Sequence, residues 1–153
     1  MTATASTKRA TVIDASALAA VLHDEPEARA VLAGCRGELL APTLLPYEMA
    51  SVARTKMLRR PDAAQRILDC HAGLAAIGVR LLEPDWLELP QLAERWALSV
   101  YDAAYLQVAL REGAPLVTLD ARLAAAADRA LAEPLSPLPA PPSAPSAPRR
   151  RRR

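Results

Sequence analysis

Four acidic residues occupy the points where one predicted element of the sequence gives way to the next: Asp14, Glu48, Asp102 and Asp120. Asp14 and Asp120 follow short apolar runs, whereas Glu48 and Asp102 lie beside the apolar stripe of a helical pattern. A carboxylate at such a border is costly to bury unless something pairs with it, and a divalent cation does so. Oxygen ligands without histidine or cysteine suit Mg²⁺, with Mn²⁺ as the alternative. A cation held there lowers the pKa of a bound water and neutralises the charge that develops when a phosphodiester is hydrolysed.

Each acid also has a purely structural interpretation. Asp14 and Asp120 have the type and position of helix N-caps, and Ser99 followed three residues later by Asp102 matches a capping box. Glu48 in a first helical turn interacts favourably with the helix dipole. Capping does not exclude metal binding, because helix starts and strand ends share one edge of a parallel sheet. We expect Asp14 and Asp102 as direct ligands, with Glu48 and Asp120 completing the pocket.

Short apolar runs alternate along the chain with longer patterns of helical period. The runs predict strands at residues 11–13, 38–41, 79–82 and 116–119. The helical patterns predict helices at residues 16–22, 26–33, 46–58, 61–78, 90–98, 102–111 and 121–131. Strands separated by helices indicate an α/β fold with a parallel sheet covered on both faces. In such a sheet, ligands bind beyond the carboxyl ends of the strands, where Asp14 and Asp120 stand.

The segments around the four acids resemble the four acidic motifs of PIN domains, in the family's order. They are residues 12–16 (VIDAS), 47–51 (YEMAS), 99–104 (SVYDAA) and 118–123 (TLDARL). The resemblance covers residues 11 to about 130 and implies a PIN-type α/β/α sandwich with a central parallel sheet of four or five strands. It also implies an acidic metal pocket, supported by Ser16 and Thr118.

The family resemblance implies a substrate and partners as well. RNA would be cut hydrolytically, and the chain is similar to the toxin of a bacterial VapBC-type pair, which implies a cognate antitoxin and, by analogy, a homodimer. Ser51 stands where an asparagine is common in the toxin subfamily, and Gln107 where a small residue is usual. Both departures lie beside the acids and leave the acids themselves in place.

Three other functions remain open from the residues. A receiver-type phospho-acceptor domain shares the acidic strand ends, but it needs a lysine near the pocket. The lysines are Lys8 and Lys56, and neither follows a late strand. A PIN scaffold that binds RNA or protein without cutting is a second alternative, against which the four intact acids count. A DNA nuclease with the same metal chemistry is the third.

Charge is distributed unevenly between the body and the end of the chain. The chain has 19 basic and 17 acidic residues, and five of the basic ones are the arginines at 149–153. Without them the balance is 14 to 17, a net charge of −3, so the totals show no basic stripe on the globular part. We expect a PIN domain at residues 1–133 and an extended, mobile Pro-rich tail at 134–153, with a weak fifth strand near 135–138. The tail is either simply solvated or a tether for RNA phosphates.

The remaining residue types exclude several classes. Two cysteines, Cys35 and Cys70, form no CxxC, so reduced core thiols are expected instead of a disulfide or a zinc site. His23 and His71 lack partners at ligand spacing and are expected to be structural or surface residues. The sequence shows no leader and no apolar run of membrane-spanning length, which predicts a cytoplasmic protein.

Four aromatic residues are candidates for stacking or for an interface, although core packing is the favoured expectation for each. They are Trp86, Trp96, Tyr101 and Tyr105.

Overall fold

The computed structural model describes residues 9–133, and in this part of the chain four strands form one sheet. The strands are β1 (Ala10–Ile13), β2 (Glu38–Pro42), β3 (Arg80–Leu82) and β4 (Leu116–Val117). All neighbouring strands are parallel, in the order β3-β2-β1-β4. The predicted α/β architecture with a central parallel sheet is therefore confirmed.

Within the same residues, eight α-helices connect and flank the strands. They are α1 (Ala15–Leu22), α2 (Ala28–Gly34), α3 (Leu45–Arg59), α4 (Ala64–Ala72), α5 (Leu74–Ile77), α6 (Leu89–Trp96), α7 (Val100–Glu112) and α8 (Ala121–Ala132). The chain steps from β1 to β2 to β3 in one direction and returns past β1 to reach β4. Because parallel crossovers are right-handed, α1 to α5 cover one face of the sheet, and α6 and α7 cover the other.

Helix α7 is the central element of the core. It packs against β1 and β2, and its residues 103–109 are all buried. Gln107 is a polar residue in this run, and its side-chain amide forms hydrogen bonds with the loop before α6. Its Oε1 accepts from the backbone N–H of Asp85 at 2.8 Å, and its Nε2 donates to the Asp85 carbonyl and to Glu88 at 3.2 Å each. The side chain therefore has a structural role, which accounts for its size at this position.

Two predicted elements differ from the structure. The single helix expected at residues 61–78 is a 3₁₀ turn (Pro61–Ala63) followed by α4 and α5, with Gly73 between the two helices. The strand expected at 116–119 ends at Val117. The residues after it bond to side chains at the carboxyl edge of the sheet instead of pairing with a strand.

The expectation of core packing for the aromatic residues was wrong for two of the four. Trp86 is 69% exposed in the turn that precedes α6, and Tyr101 is 66% exposed in the first turn of α7. Tyr105 is buried as expected, and Trp96 is partly buried, with Arg95 and Arg129 stacked against its ring.

Some predictions fall on residues outside the described part. The candidate strand at 135–138 and the tail at 134–153 lie beyond it, as does Lys8. Within residues 9–133, none of the helices is both long enough and apolar enough to cross a membrane. Cys35 and Cys70 each carry a free thiol.

Candidate active site at the carboxyl edge of the sheet

The order in which strands are added to the sheet reverses beside β1, and Asp14 lies at that point. From the end of β1 the chain enters α1, and from the end of the neighbouring β4 it reaches α8 through Thr118 and Asp120. Helices α3 and α7 also begin near this edge, with Glu48 and Asp102 in their first turns. The topology therefore brings all four predicted acids to the edge where α/β proteins bind ligands.

Asp14 is the most enclosed of the four acids, with 6% of its surface exposed. Its carboxylate caps α1 by accepting from the N–H of Ala17 at 2.9 Å, and it also accepts from the hydroxyls of Ser16 at 2.8 Å and Thr118 at 2.7 Å. Burial raises the pKa of Asp14 above its ordinary range, although these hydrogen bonds oppose the shift, and the charge of Asp102 raises it further. A buried carboxylate is thus held in a fixed orientation by three neutral donors.

Glu48, in the first turn of α3, is held in place by a residue of α7. The hydroxyl of Tyr105 donates to Glu48 Oε2 at 2.5 Å. Burial raises the pKa of Glu48, and the charges of Asp102 and Asp14 add to this while the tyrosine hydrogen bond opposes it. Burial and the neighbouring carboxylate raise the pKa of Tyr105, so its hydroxyl stays protonated and remains the donor. Sequence reasoning assigned Tyr105 to the core and missed this contact, which the sequence signals only through the three-residue spacing from Asp102 on one helix face.

Asp102 stands at the third position of α7, in the predicted cap. Its backbone N–H donates to Ser99 Oγ at 3.0 Å, and the Ser99 hydroxyl donates back to its carboxylate at 2.7 Å. The Asp102 charge nevertheless raises the pKa of both Asp14 and Glu48. Three of the predicted site residues therefore share one electrostatic environment.

Asp120 lies at the same edge but faces α8. Its Oδ1 accepts from the N–H groups of Arg122 at 2.7 Å and Leu123 at 3.0 Å, so it is the N-cap of that helix. Thr118 joins it to the buried acid, because the Thr118 hydroxyl accepts from the Asp120 N–H at 2.9 Å and donates to Asp14. Asp120 is exposed and is absent from the charges that shift the pKa of the acids described above.

The donors at this edge fit a hard cation in chemistry and charge. Asp14 and Glu48 are close enough to other carboxylates for those charges to raise their pKa, and neither forms an ion pair with a Lys or Arg of residues 9–133. In the same residues, no three acidic, histidine or cysteine side chains stand close enough to hold one ion together. Mg²⁺ commonly takes one or two carboxylates and keeps its waters. The residues therefore fit a cation held by a pair of carboxylates and solvent, and not a cage built wholly from protein.

A cleft of about 520 Å³ opens beside Glu48. Two exposed tyrosines, Tyr47 at 79% and Tyr101 at 66%, stand on its lining with Ser51 and Val52. We call it the tyrosine cleft. It places flat aromatic faces next to the acids, where an unpaired base can stack.

Comparison with known proteins identifies the class. The PIN domain family matches residues 11–129, so the chain belongs to the PIN domain family. Among solved structures, the chain is similar to the crystal structure of PAE2754 from Pyrobaculum aerophilum, with a TM-score of 0.57 and 24% identity over 80% of this chain and 94% of that one. That likeness shows the fold. No curated protein matches the chain.

Proposed function

We propose that this protein is an Mg²⁺-dependent endoribonuclease that hydrolyses RNA phosphodiester bonds, and that it is the toxin of a toxin–antitoxin pair. PIN domains are commonly nucleases, which supports a hydrolase acting on nucleic acid. The observation that carries the proposal is the state of Asp14. Its carboxylate is buried and fixed by three neutral donors, with Glu48 and Asp102 as its charged neighbours.

Such an arrangement is unfavourable for a protein without a ligand. Burying a carboxylate near two like charges is costly, and a divalent cation offsets the cost. Asp14 and Asp102 would hold the ion, and Glu48 and Asp120 would orient its waters or hold a second ion. When bound, the ion supplies an activated water and neutralises charge on the phosphate.

The residues around the acids have separate tasks. Ser16 and Thr118 orient Asp14, and Tyr105 orients Glu48, so each carboxylate keeps its direction while the substrate enters. The tyrosine cleft supports a single-stranded substrate, because its exposed rings accept unpaired bases regardless of sequence. RNA as the preferred nucleic acid follows from the motif resemblance.

The role as a toxin rests on the resemblance of the four motif segments to the VapC-type subfamily. It implies a cytoplasmic protein with a small cognate antitoxin, and a homodimer by analogy. Expression of the chain alone should arrest growth of a bacterial host. Co-expression of a short open reading frame found immediately upstream of the gene should relieve the arrest.

The central test is cleavage of labelled single-stranded RNA by the purified protein with Mg²⁺, Mn²⁺ or EDTA. Cleavage should require the metal and should be abolished in Asp14→Asn and in Asp102→Asn, with the circular dichroism spectrum unchanged. A matched control is Asp128→Asn, which removes the same charge from an exposed position of α8 and should cut normally. Full activity of either site variant or of the wild type in EDTA would refute the site. Binding of RNA without cutting would identify a non-catalytic module, and cutting of DNA alone would change the substrate.

A further inference from the structure

A second cleft, of about 420 Å³, opens where α1 and α3 end and α4 begins. We call it the basic cleft. Four cationic side chains line it together with His23 and one carboxylate, that of Asp24. The four are Lys56, Arg59, Arg60 and Arg66. A concave, cationic surface of this kind is suited to an anion.

The charge of this region contrasts with the rest of the domain. Residues 54–66 contain five basic residues and one acidic residue, a net charge of +4. The remainder of residues 1–148 contains nine basic and sixteen acidic residues, a net charge of −7. A polyanion approaching the domain therefore meets a concentrated positive surface at the basic cleft.

Two of the cations are already paired and two are available. Lys56 forms an ion pair with Glu25, and Arg60 pairs with Asp62 at 3.3 Å. Arg59 and Arg66 are exposed and have no ion pair with any residue of the described part of the chain. Guanidinium groups bind phosphate oxygens with two parallel hydrogen bonds, which makes these two arginines the strongest phosphate donors of the cleft.

The electrostatic environment at His23 agrees with this assignment. Burial lowers the pKa of His23, and the charges of Lys56, His71 and Arg66 lower it further, with Glu25 opposing them. His23 is therefore neutral at physiological pH and adds hydrogen-bonding capacity without charge.

One face of α3 connects the basic cleft to the acidic site. Glu48 and Val52 of α3 line the tyrosine cleft, and Lys56 and Arg59 of the same helix line the basic cleft. Because eleven residues make about three full turns, Glu48 and Arg59 lie on the same face of α3. Glu48 and Arg59 are eleven residues apart, which is about 16 Å along the helix axis. That separation is about twice the Debye length of ~8 Å, so the acids do not cancel the potential of the cleft.

We infer that the basic cleft binds the phosphates of an RNA strand whose scissile bond lies at the acidic site, with α3 as the surface along which the strand runs. The inference rests on the proposed function and adds a path for the substrate. At about 3.4 Å per phosphate in a stacked strand, the ~16 Å between the two sites corresponds to roughly five nucleotides, and fewer in an extended strand. The cleft therefore acts on substrates long enough to span this distance.

The test is the salt dependence of RNA binding by the double variant Arg59→Gln/Arg66→Gln. Binding of a fluorescein-labelled 12-nucleotide single-stranded RNA is measured by anisotropy in EDTA, so that cleavage does not interfere. Removing one arginine that neutralises a phosphate flattens the slope of log K against log salt by about 0.7, so the slope should shrink by about 1.4. Between 1 M and 0.1 M salt this corresponds to roughly 25-fold weaker binding at the lower salt.

The matched control is Arg29→Gln/Arg111→Gln, which removes two exposed arginines outside residues 54–66 and outside the lining of the basic cleft. It should keep the wild-type slope to within about 0.5, less than the effect of one phosphate-binding arginine. In cleavage assays with Mg²⁺, the cleft variant should raise KM for the 12-nucleotide RNA and leave kcat unchanged. A dinucleotide has a single phosphodiester and cannot reach both sites, so wild type and variant should cut it equally.

Alkylation of the two thiols gives an independent measurement. Cys70 lines the basic cleft, whereas Cys35 caps the end of α2 and does not line it. Bound RNA should slow iodoacetamide modification of Cys70 and leave that of Cys35 unchanged.

The outcomes separate this inference from the proposed function. Wild-type salt slope and KM in the cleft variant, with RNA still cut, would overturn the basic cleft and leave the nuclease intact. The same result together with weaker binding to an acidic protein partner would also overturn it, because the cleft would then serve that partner. If the wild type cuts no RNA, the proposed function fails. The binding assay still tests the basic cleft in that case, and a salt slope equal in the cleft variant and the wild type would reject it.

Discussion

Asp120 is the residue at which the structural and chemical interpretations of the acids can be separated by substitution. Its Oδ1 accepts from two N–H groups at the start of α8, at 2.7 and 3.0 Å. Loss of an N-cap costs about 1 kcal/mol, whereas serine caps about as well as aspartate. For a chain of 153 residues, about 1 kcal/mol corresponds to about 3 °C in Tm. Asp120→Ala should therefore lower Tm by about 3 °C, and Asp120→Ser should leave it within about 1 °C.

Activity should follow a different order. Because neither serine nor alanine supplies a carboxylate, both variants should lose at least about tenfold in kcat if Asp120 belongs to the metal pocket. Calorimetry gives Tm, and single-turnover cleavage of labelled RNA gives the rate. Wild-type turnover in Asp120→Ser, combined with a loss confined to Asp120→Ala, would show that this residue caps α8 and leaves a three-acid site.

Three further outcomes are expected. Folding raises the pKa of Asp14 and of Glu48 above their ordinary values of 3.8 and 4.5. Between the ordinary and the raised pKa, the folded protein binds more protons than the unfolded chain. The free energy of unfolding therefore falls as the pH rises from the ordinary pKa through the raised one. Mg²⁺ at about 100 times its Kd should restore about 2.7 kcal/mol, and the calorimetric Tm gain should be larger at about pH 8 than at about pH 5; an equal gain would place the metal elsewhere. Tyr105→Phe removes the donor that lowers the pKa of Glu48, so the acidic limb of the pH–kcat profile should move to higher pH, and an unmoved limb would make Tyr105 structural. Deletion of residues 149–153 should flatten the salt slope of RNA binding by about 0.7 for each phosphate that the tail neutralises, without changing the cleavage sites, and an unchanged slope would return the tail to a solvated terminus.

Much of the fold follows from patterns that are local in the sequence. The strands at 11–13, 38–41 and 79–82 agree with β1, β2 and β3 within one residue at each end. Parallel pairing follows from their separation by helices. The four acids could be assigned to one edge for the same reason, since each stands at a strand end or a helix start.

The parts that failed depend on contacts distant in sequence. Thr118 has the apolar-run neighbours of a strand residue, but its hydroxyl is used by Asp14, 104 positions away. The exposure of Tyr101 depends on which face of α7 the sheet covers, and its residue type does not show this. Which donor each carboxylate faces is likewise a property of packing.

One signal was present in the sequence and was hidden by totals. The net charge of −3 before the terminal arginines is the sum of +4 in residues 54–66 and −7 in the remainder. A count by segment finds residues 54–66, although the sequence does not show that α1 and α4 close a cleft around them.

Ser16 and Thr118 join the site to the fold. Their hydroxyls accept from the backbone N–H groups of Leu119 and Asp120, and β4 itself pairs with β1 at two positions. Removal of either hydroxyl takes a hydrogen bond from a charged group, worth about 1.5–3 kcal/mol, and loosens the connection from β4 to α8. Removal of the Asp102 carboxylate leaves this connection intact. Under the proposed function, substitutions that abolish toxicity therefore fall into two kinds, those that remove activity alone and those that also lower stability. Hosts selected for survival should carry intact, inert protein with substitutions at Asp102, whereas substitutions at the two hydroxyls should reduce the amount of protein in the cell.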